Sequence, residues 1–260
     1  MKSYKFTDYT YLEIKGFVDA DCLAIVPTGC TEQQGPHLPV DFDTWLSETV
    51  ALAAAKHAAR FHRVRALVLP AMPFGPTPEH KGYGSGYINI PHSVHEEYVY
   101  FVLVSLAEQG FRTIVIWRGC GEHQLHGAVD RFNARFRSQR VAYLPSTPYR
   151  DVWLRVGDPA VPCGHADSFA TSIAMYQRPQ AVRLDKIPPR NSGNVDWDNP
   201  HLDFTYYSES GVIGDATQAS AELGRTLWNE VISITAAIFR DVMVENGLKG
   251  RMRMGESCST

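Results

Sequence analysis

Apolar and β-branched residues gather in four short unbroken runs, Cys22 to Pro27, Val64 to Pro70, Thr113 to Trp117 and Val141 to Leu144. Runs of this length without polar alternation belong to strands covered on both faces. Between them lie helix-like stretches, Thr44 to Phe61, Ser93 to Gln109 and His123 to Arg137, with Ser93 ahead of Glu96 and Glu97 as the expected N-cap of the second. A last long helix is expected from about Ala216 to Asn246, and a disordered tail over 249–260. Strand and helix alternating in this way imply an α/β fold, a three-layer α/β/α sandwich with a mainly parallel sheet, as one domain over residues 1–248. Two irregular stretches interrupt the pattern. Phe74 to His92 is rich in glycine and proline, and Ile187 to Ser210 carries Trp197, Tyr206 and Tyr207; the second reads as a lid, a subunit contact or an ordered surface loop.

A chain of 260 residues with a formal net charge of -3 can bury a large core, and it has no long basic run. Nucleic acid and anionic membrane are therefore not expected partners. No apolar stretch approaches the ~20 residues of a membrane span, and the start, Met1 to Lys5, does not lead into a signal-peptide core, so a cytoplasmic location is expected. The five cysteines form no Cys-x-x-Cys pair, and reduced thiols are the simplest account of an odd number. Cys22 reads as core and Cys258 as part of the tail, whereas Cys120 ends a strand-like run inside a turn flanked by Gly119 and Gly121.

Chemistry concentrates just past the first strand-like run. Thr28 to Asp43 brings Glu32, His37, Asp41 and Asp43 together with the Gly35-Pro36 turn, which lets Glu32 and Asp43 converge as ligands of a divalent cation. Taken alone, the same residues also fit a polar loop with solvated acids and a His37 that caps a helix. Ligands of parallel sheets bind at the carboxyl ends of strands, where this segment falls.

Glu32-Gln33-Gln34-Gly35-Pro36-His37-Leu38-Pro39, with Asp43 eleven residues after the glutamate, resembles the signature of the creatininase (creatinine amidohydrolase) family. Four further blocks follow in the family's order. Thr77-Pro78-Glu79-His80 is similar to its Ser-x-Glu-His, and Arg118-Gly119-Cys120-Gly121-Glu122-His123 stands where it has Asn-Gly-His. Gly164-His165-Ala166-Asp167 opens a block similar to its His-Ala-Gly-Glu, and Ser210 to Asp215 resembles its Gly-Val-x-Gly-Asp. Together the blocks span residues from about 22 to 245.

The resemblance implies two divalent metals bridged by Asp43. It places Glu32 and Cys120 on one metal, and Gln34 and Glu122 on the other, with Glu122 also a catalytic carboxylate. Cys120 and Gln34 replace family histidines. A thiolate is a good ligand for zinc or iron, although Cys120 also fits a nucleophile or a small turn residue; an amide oxygen is a weak, neutral donor. His123 and His126 are candidates to compensate, or else one face of a helix. His165 falls on the family's proton-handling histidine. Thr77, Glu79, His80 and Asp167 are the implied substrate-binding residues, while Ser168 and Ala170 replace family glutamates.

The activity implied is metal-dependent hydrolysis of a non-peptide C-N bond in a cyclic amide, formamide or related small molecule, in a specialised or biosynthetic pathway and not on creatinine itself. Zinc is the first expectation for the metal, then manganese or iron, as one or two ions. The resemblance further implies a homo-oligomer, a hexamer. Two other readings stay open, a metal-poor relative that binds a small molecule or partner without hydrolysis, and a relative that cleaves a C-C bond in a cyclic ketone.

Overall fold

The computed structural model describes residues 2–121, 123–137, 139–161, 164–191 and 195–256. Four strands, β1 (Leu23–Thr28), β2 (Ala66–Val68), β3 (Thr113–Arg118) and β4 (Val141–Tyr143), form one sheet in the order β2-β1-β3-β4, with every neighbouring pair parallel. Seven α-helices surround it among the described residues: α1 (Tyr11–Asp19), α2 (Phe42–Phe61), α3 (His92–Gln109), α4 (His126–Phe136), α5 (Tyr149–Val156), α6 (Ser168–Gln177) and α7 (Ala221–Glu256).

Successive strand residues point to opposite sides of a sheet. Leu23, Ile25, Val68, Val115 and Trp117 pack with residues of α2, α5, α6 and α7, among them Ala51, Trp153, Ile173 and Phe239. Ala24, Val26, Leu67, Ile114 and Ile116 face the other way, against Ile14, Leu103 and Phe132 of α1, α3 and α4. Full burial of one such side chain contributes about 1.5–3 kcal/mol. Both faces therefore need a helical cover, which is the physical reason the four runs are apolar without interruption. The three-layer architecture is the expected one.

Several boundaries differ from the sequence pattern. β2 is shorter than Val64 to Pro70, because the Val64 N–H is used to close the end of α2 on the Ala58 carbonyl, and Pro70 has no N–H for a ladder. Ser93 is not the N-cap of α3. The helix starts one residue earlier, behind Pro91, whose carbonyl accepts from Val94 and His95 at 3.0 and 3.1 Å. α4 begins at His126 instead of His123, so His123 belongs to the turn after β3. The final helix starts later than Ala216 and its backbone runs to Glu256; of the expected tail, residues 257–260, Cys258 included, lie outside the described residues. No helix of the described residues is long and apolar enough to cross a membrane.

The sheet's register prepares the site. β1 and β3 are neighbours with Thr28 opposite Arg118, and the Gly119 N–H donates to the Thr28 carbonyl at 2.6 Å. The residues two beyond each partner, Cys30 and Cys120, are thus carried past the sheet edge side by side. Gly29 and Gly119 between them admit the start of α2. A Cβ on Gly29 would strike the Thr44 backbone, and one on Gly119 would lie 2.5 Å from the Asp43 carbonyl oxygen.

Candidate metal centre

Asp43 stands in the first turn of α2, where the helix dipole favours a carboxylate, and it is almost wholly buried. The Cys30 thiol donates to its Oδ2 at 3.5 Å. Cys30, Glu32, Asp43 and Cys120 each offer a ligand atom within 4.8 Å of the other three, and the imidazole of His123 lies equally close to the two thiols. On the far side of Glu32 is a second group, with His80 Nε2 3.4 Å from Glu32 Oε2 and His165 Nδ1 3.6 Å from Glu32 Oε1. Glu32 is therefore the carboxylate common to both groups. Asp43, expected from the resemblance to bridge, sits with the thiols, because the first turn of α2 holds it against Cys30.

Gln34 is in the site, but its amide nitrogen donates to Glu32 Oε1 at 3.1 Å, so it steadies that carboxylate. Glu122 lies outside the described residues. Glu79 places Oε1 3.2 Å from His80 Nε2 and borders the cavity. The Thr77 hydroxyl is buried without a hydrogen-bond partner among the described residues, while its N–H donates to Asn89 Oδ1 at 2.7 Å. Asp167 caps α6, accepting from the N–H groups of Phe169 and Ala170 at 3.0 and 3.2 Å and from Gly164 at 2.6 Å. His37 pins its loop to α6 through Thr171 Oγ1 at 2.8 Å, and it belongs to neither ligand group among the described residues. His126 is likewise in neither group.

Burial sets the electrostatics. It pushes the Glu32 carboxyl well above the usual range, with Cys120 and Asp43 adding to the effect, and pushes Asp43 up to about 6 and Glu79 up to about 7. The Cys30 thiol is raised well above its ordinary value, again chiefly by burial. His80 and His165 are pulled down to about 3 by burial, with His80 contributing to the shift of His165. Three buried acids, two thiols and neutral imidazoles converge on a space where a divalent cation would offset their charge.

Gln33 orients both imidazoles. Its Oε1 accepts from the Gly35 N–H at 2.8 Å and its Nε2 donates to the Gly211 carbonyl at 3.1 Å, which fixes the amide. The same Nε2 lies 3.1 Å from His80 Nδ1, making that nitrogen an acceptor and leaving the proton of neutral His80 on Nε2. The Gln33 carbonyl accepts from His165 Nε2 at 2.7 Å, so the lone pair of neutral His165 is on Nδ1, facing Glu32. Gln33 and Cys30 were not singled out in the sequence. The only signal for them is adjacency, one beside Glu32 and the other two residues past a strand end.

A cavity of about 580 Å³ opens onto this cluster, with Phe42, Trp153, Trp197 and Phe204 among its apolar walls and Arg118 and Arg150 as its cationic groups.

The family model "Creatininase: Creatinine amidohydrolase" matches residues 7–239 of the chain. A mycofactocin precursor peptide peptidase of Mycolicibacterium smegmatis is 26% identical over 218 residues, 81% of each chain. A creatinine amidohydrolase of Pseudomonas putida is 26% identical over 262 residues, covering 92% of this chain and 97% of the relative. Among solved structures, one described as creatininase Mn superposes with a TM-score of 0.81 at 22% identity, over 92% of this chain and 98% of the other. A mutant creatininase of Zn-Zn type gives 0.80 at 22% identity, over 93% and 98%.

Proposed function

Because the chain belongs to the creatininase family, a family of amidohydrolases, we propose that it is a metal-dependent hydrolase of a C-N bond in a small substrate that carries an anionic group. The observation that carries this reading is the convergence of ligand atoms at the centre of the site. The ligand atoms of Cys30, Glu32, Asp43 and Cys120 lie within 4.8 Å of one another, and Glu32 Oε2 is buried with no hydrogen bond among the described residues. The donor set fits a divalent ion. Glu32, Asp43 and Cys120 would hold it, zinc before manganese or iron. When bound, the ion supplies Lewis acidity and activates water for attack on a carbonyl carbon.

The chain's own residues provide the proton path. His165 is neutral at pH 7, and its Nδ1 lone pair, aimed into the site by the Gln33 carbonyl, accepts a proton from water as the C-O bond forms. The same nitrogen then returns the proton to the leaving nitrogen as the C-N bond breaks, so acid, amine and consumed water balance. Gln34 holds Glu32 in place through its amide. Trp153, Trp197 and Phe204 cover apolar parts of the substrate.

Arg118 and Arg150 give the cavity two cations, and the acids among its described lining residues are Glu32, Asp43, Glu79 and the helix-capping Asp167. They suit a substrate carboxylate. Such a substrate is a cyclic amide with an acidic substituent or the free carboxyl end of a peptide, and the peptidase relatives make the range wider than the non-peptide class expected from the sequence. A panel of acidic cyclic amides and short peptides should yield at least one substrate whose neutral amide analogue is turned over poorly. Arg150→Ala should then raise KM about tenfold or more for the acidic substrate, as loss of a charged hydrogen bond does, with kcat little changed. An unchanged KM would remove Arg150 from recognition.

The proposal includes self-association. Val94, Tyr98 and Phe101 form an exposed apolar face on α3, and Trp197 and Tyr206 are exposed on the 187–210 loop. Sedimentation at micromolar concentration should show a species several times the 29.1 kDa chain mass; a monomer alone would contradict this.

A further inference from the structure

We propose that Cys30 and Cys120 act together as a pair of thiolate ligands, so that one metal centre of this chain is sulfur-rich and selects zinc over manganese. The proposal rests on the metal-centre reading above and specifies its donors. Four observations support it. The β1–β3 register sets the two cysteines side by side, each two residues beyond a paired strand end. The glycines that precede them, Gly29 and Gly119, leave room for α2 to bring Asp43 against the pair, and a methyl group at either position would collide with its first turn. The distances suit a metal. Bonds of ~2.3 Å to sulfur and ~2.0–2.2 Å to oxygen at tetrahedral angles place the two ligand atoms about 3.6 Å apart, and Cys30 Sγ lies 3.5 Å from Asp43 Oδ2. All four donor atoms of Cys30, Glu32, Asp43 and Cys120 lie within 4.8 Å of one another, with Cys30, Glu32 and Asp43 buried.

Charge agrees with the geometry. Two thiolates and two carboxylates carry four negative charges, and a bound divalent ion would offset two of them. Binding would replace each S–H bond with a sulfur–metal bond and release the proton to solvent. Soft sulfur donors favour zinc or ferrous iron, whereas manganese prefers oxygen and imidazole.

Cobalt(II) provides a direct readout, because thiolate ligation produces an intense sulfur-to-cobalt charge-transfer band in the near ultraviolet, absent from oxygen- and nitrogen-only sites. Metal-free protein, kept reduced and loaded with cobalt, should show this band. Cys30→Ser and Cys120→Ser should each lower it by about half, and the double variant should abolish it. Competition should show zinc binding weakened at least tenfold in Cys30→Ser with manganese binding little altered. Stoichiometric cobalt binding by the wild-type protein with no thiolate band would overturn the sulfur centre and leave the metal-dependent hydrolase standing; failure to bind any divalent ion would overturn both. A full-strength band in folded Cys30→Ser would remove Cys30 from the ligand set. The wild-type spectrum decides the matter even if the variants fold poorly.

Discussion

His165→Ala is expected to lower turnover by roughly 10²- to 10⁴-fold, the usual cost of losing a general acid or base. The imidazole is buried, its Nε2 is tied to the Gln33 carbonyl at 2.7 Å, and its Nδ1 is directed at the reacting space beside Glu32. Gly164 and Ala166 flank it and line the cavity, and the lack of a side chain at Gly164 admits the Ile213 carbonyl. Because Glu32, Asp43 and Cys120 are untouched, the variant should keep at least one ion and a melting temperature near that of the wild type. The metal content measured alongside turnover separates two roles. Turnover lost with metal retained is the signature of a proton carrier, whereas joint loss of one ion and turnover would make His165 a ligand. Wild-type turnover would hand the proton transfer to His80 or His123, or to water alone.

Asp43→Asn should strip metal from the thiol side of the site. An amide of the same shape keeps the packing against Phe42 and α2 but removes the negative charge that faces Cys30 and the cation. Charged ligands are not replaced by neutral isosteres without loss of binding. Elemental analysis should show at least one ion fewer per chain. The melting temperature should also stop rising with added zinc, since an ion present at 100 times its Kd stabilises the folded state by ~2.7 kcal/mol and that gain vanishes with the site. Wild-type metal content in this variant would refute the assignment of Asp43.

The sheet and its two helical layers were readable from the chain because a strand buried on both faces leaves an unbroken apolar run. Short or amphipathic pieces were less readable. α1 went unnoticed although Thr10 and Glu13 form a capping box, with Glu13 accepting from the Thr10 N–H at 2.8 Å. The start of α3 was misplaced because Pro91, which lacks a side-chain acceptor, does the work assigned to Ser93. At the site, Glu32, Asp43, Cys120 and His165 were found through motif resemblance, and the structure brings them together. Cys30 escaped notice because its partnership with Cys120 spans 90 residues and depends on strand register, which no local pattern encodes. Gln33 escaped for a similar reason, since its role lies in distant contacts with His80, His165 and Gly211.

The most direct test of the account is amine release from the best substrate of the panel, followed through metal withdrawal and return. Protein as purified should contain at least one divalent ion per chain and hydrolyse the C-N bond. Exhaustive chelation should abolish release of the amine, and one to two equivalents of zinc should restore it. Hydrolysis that continues undiminished in protein shown by elemental analysis to be free of metal would contradict the account.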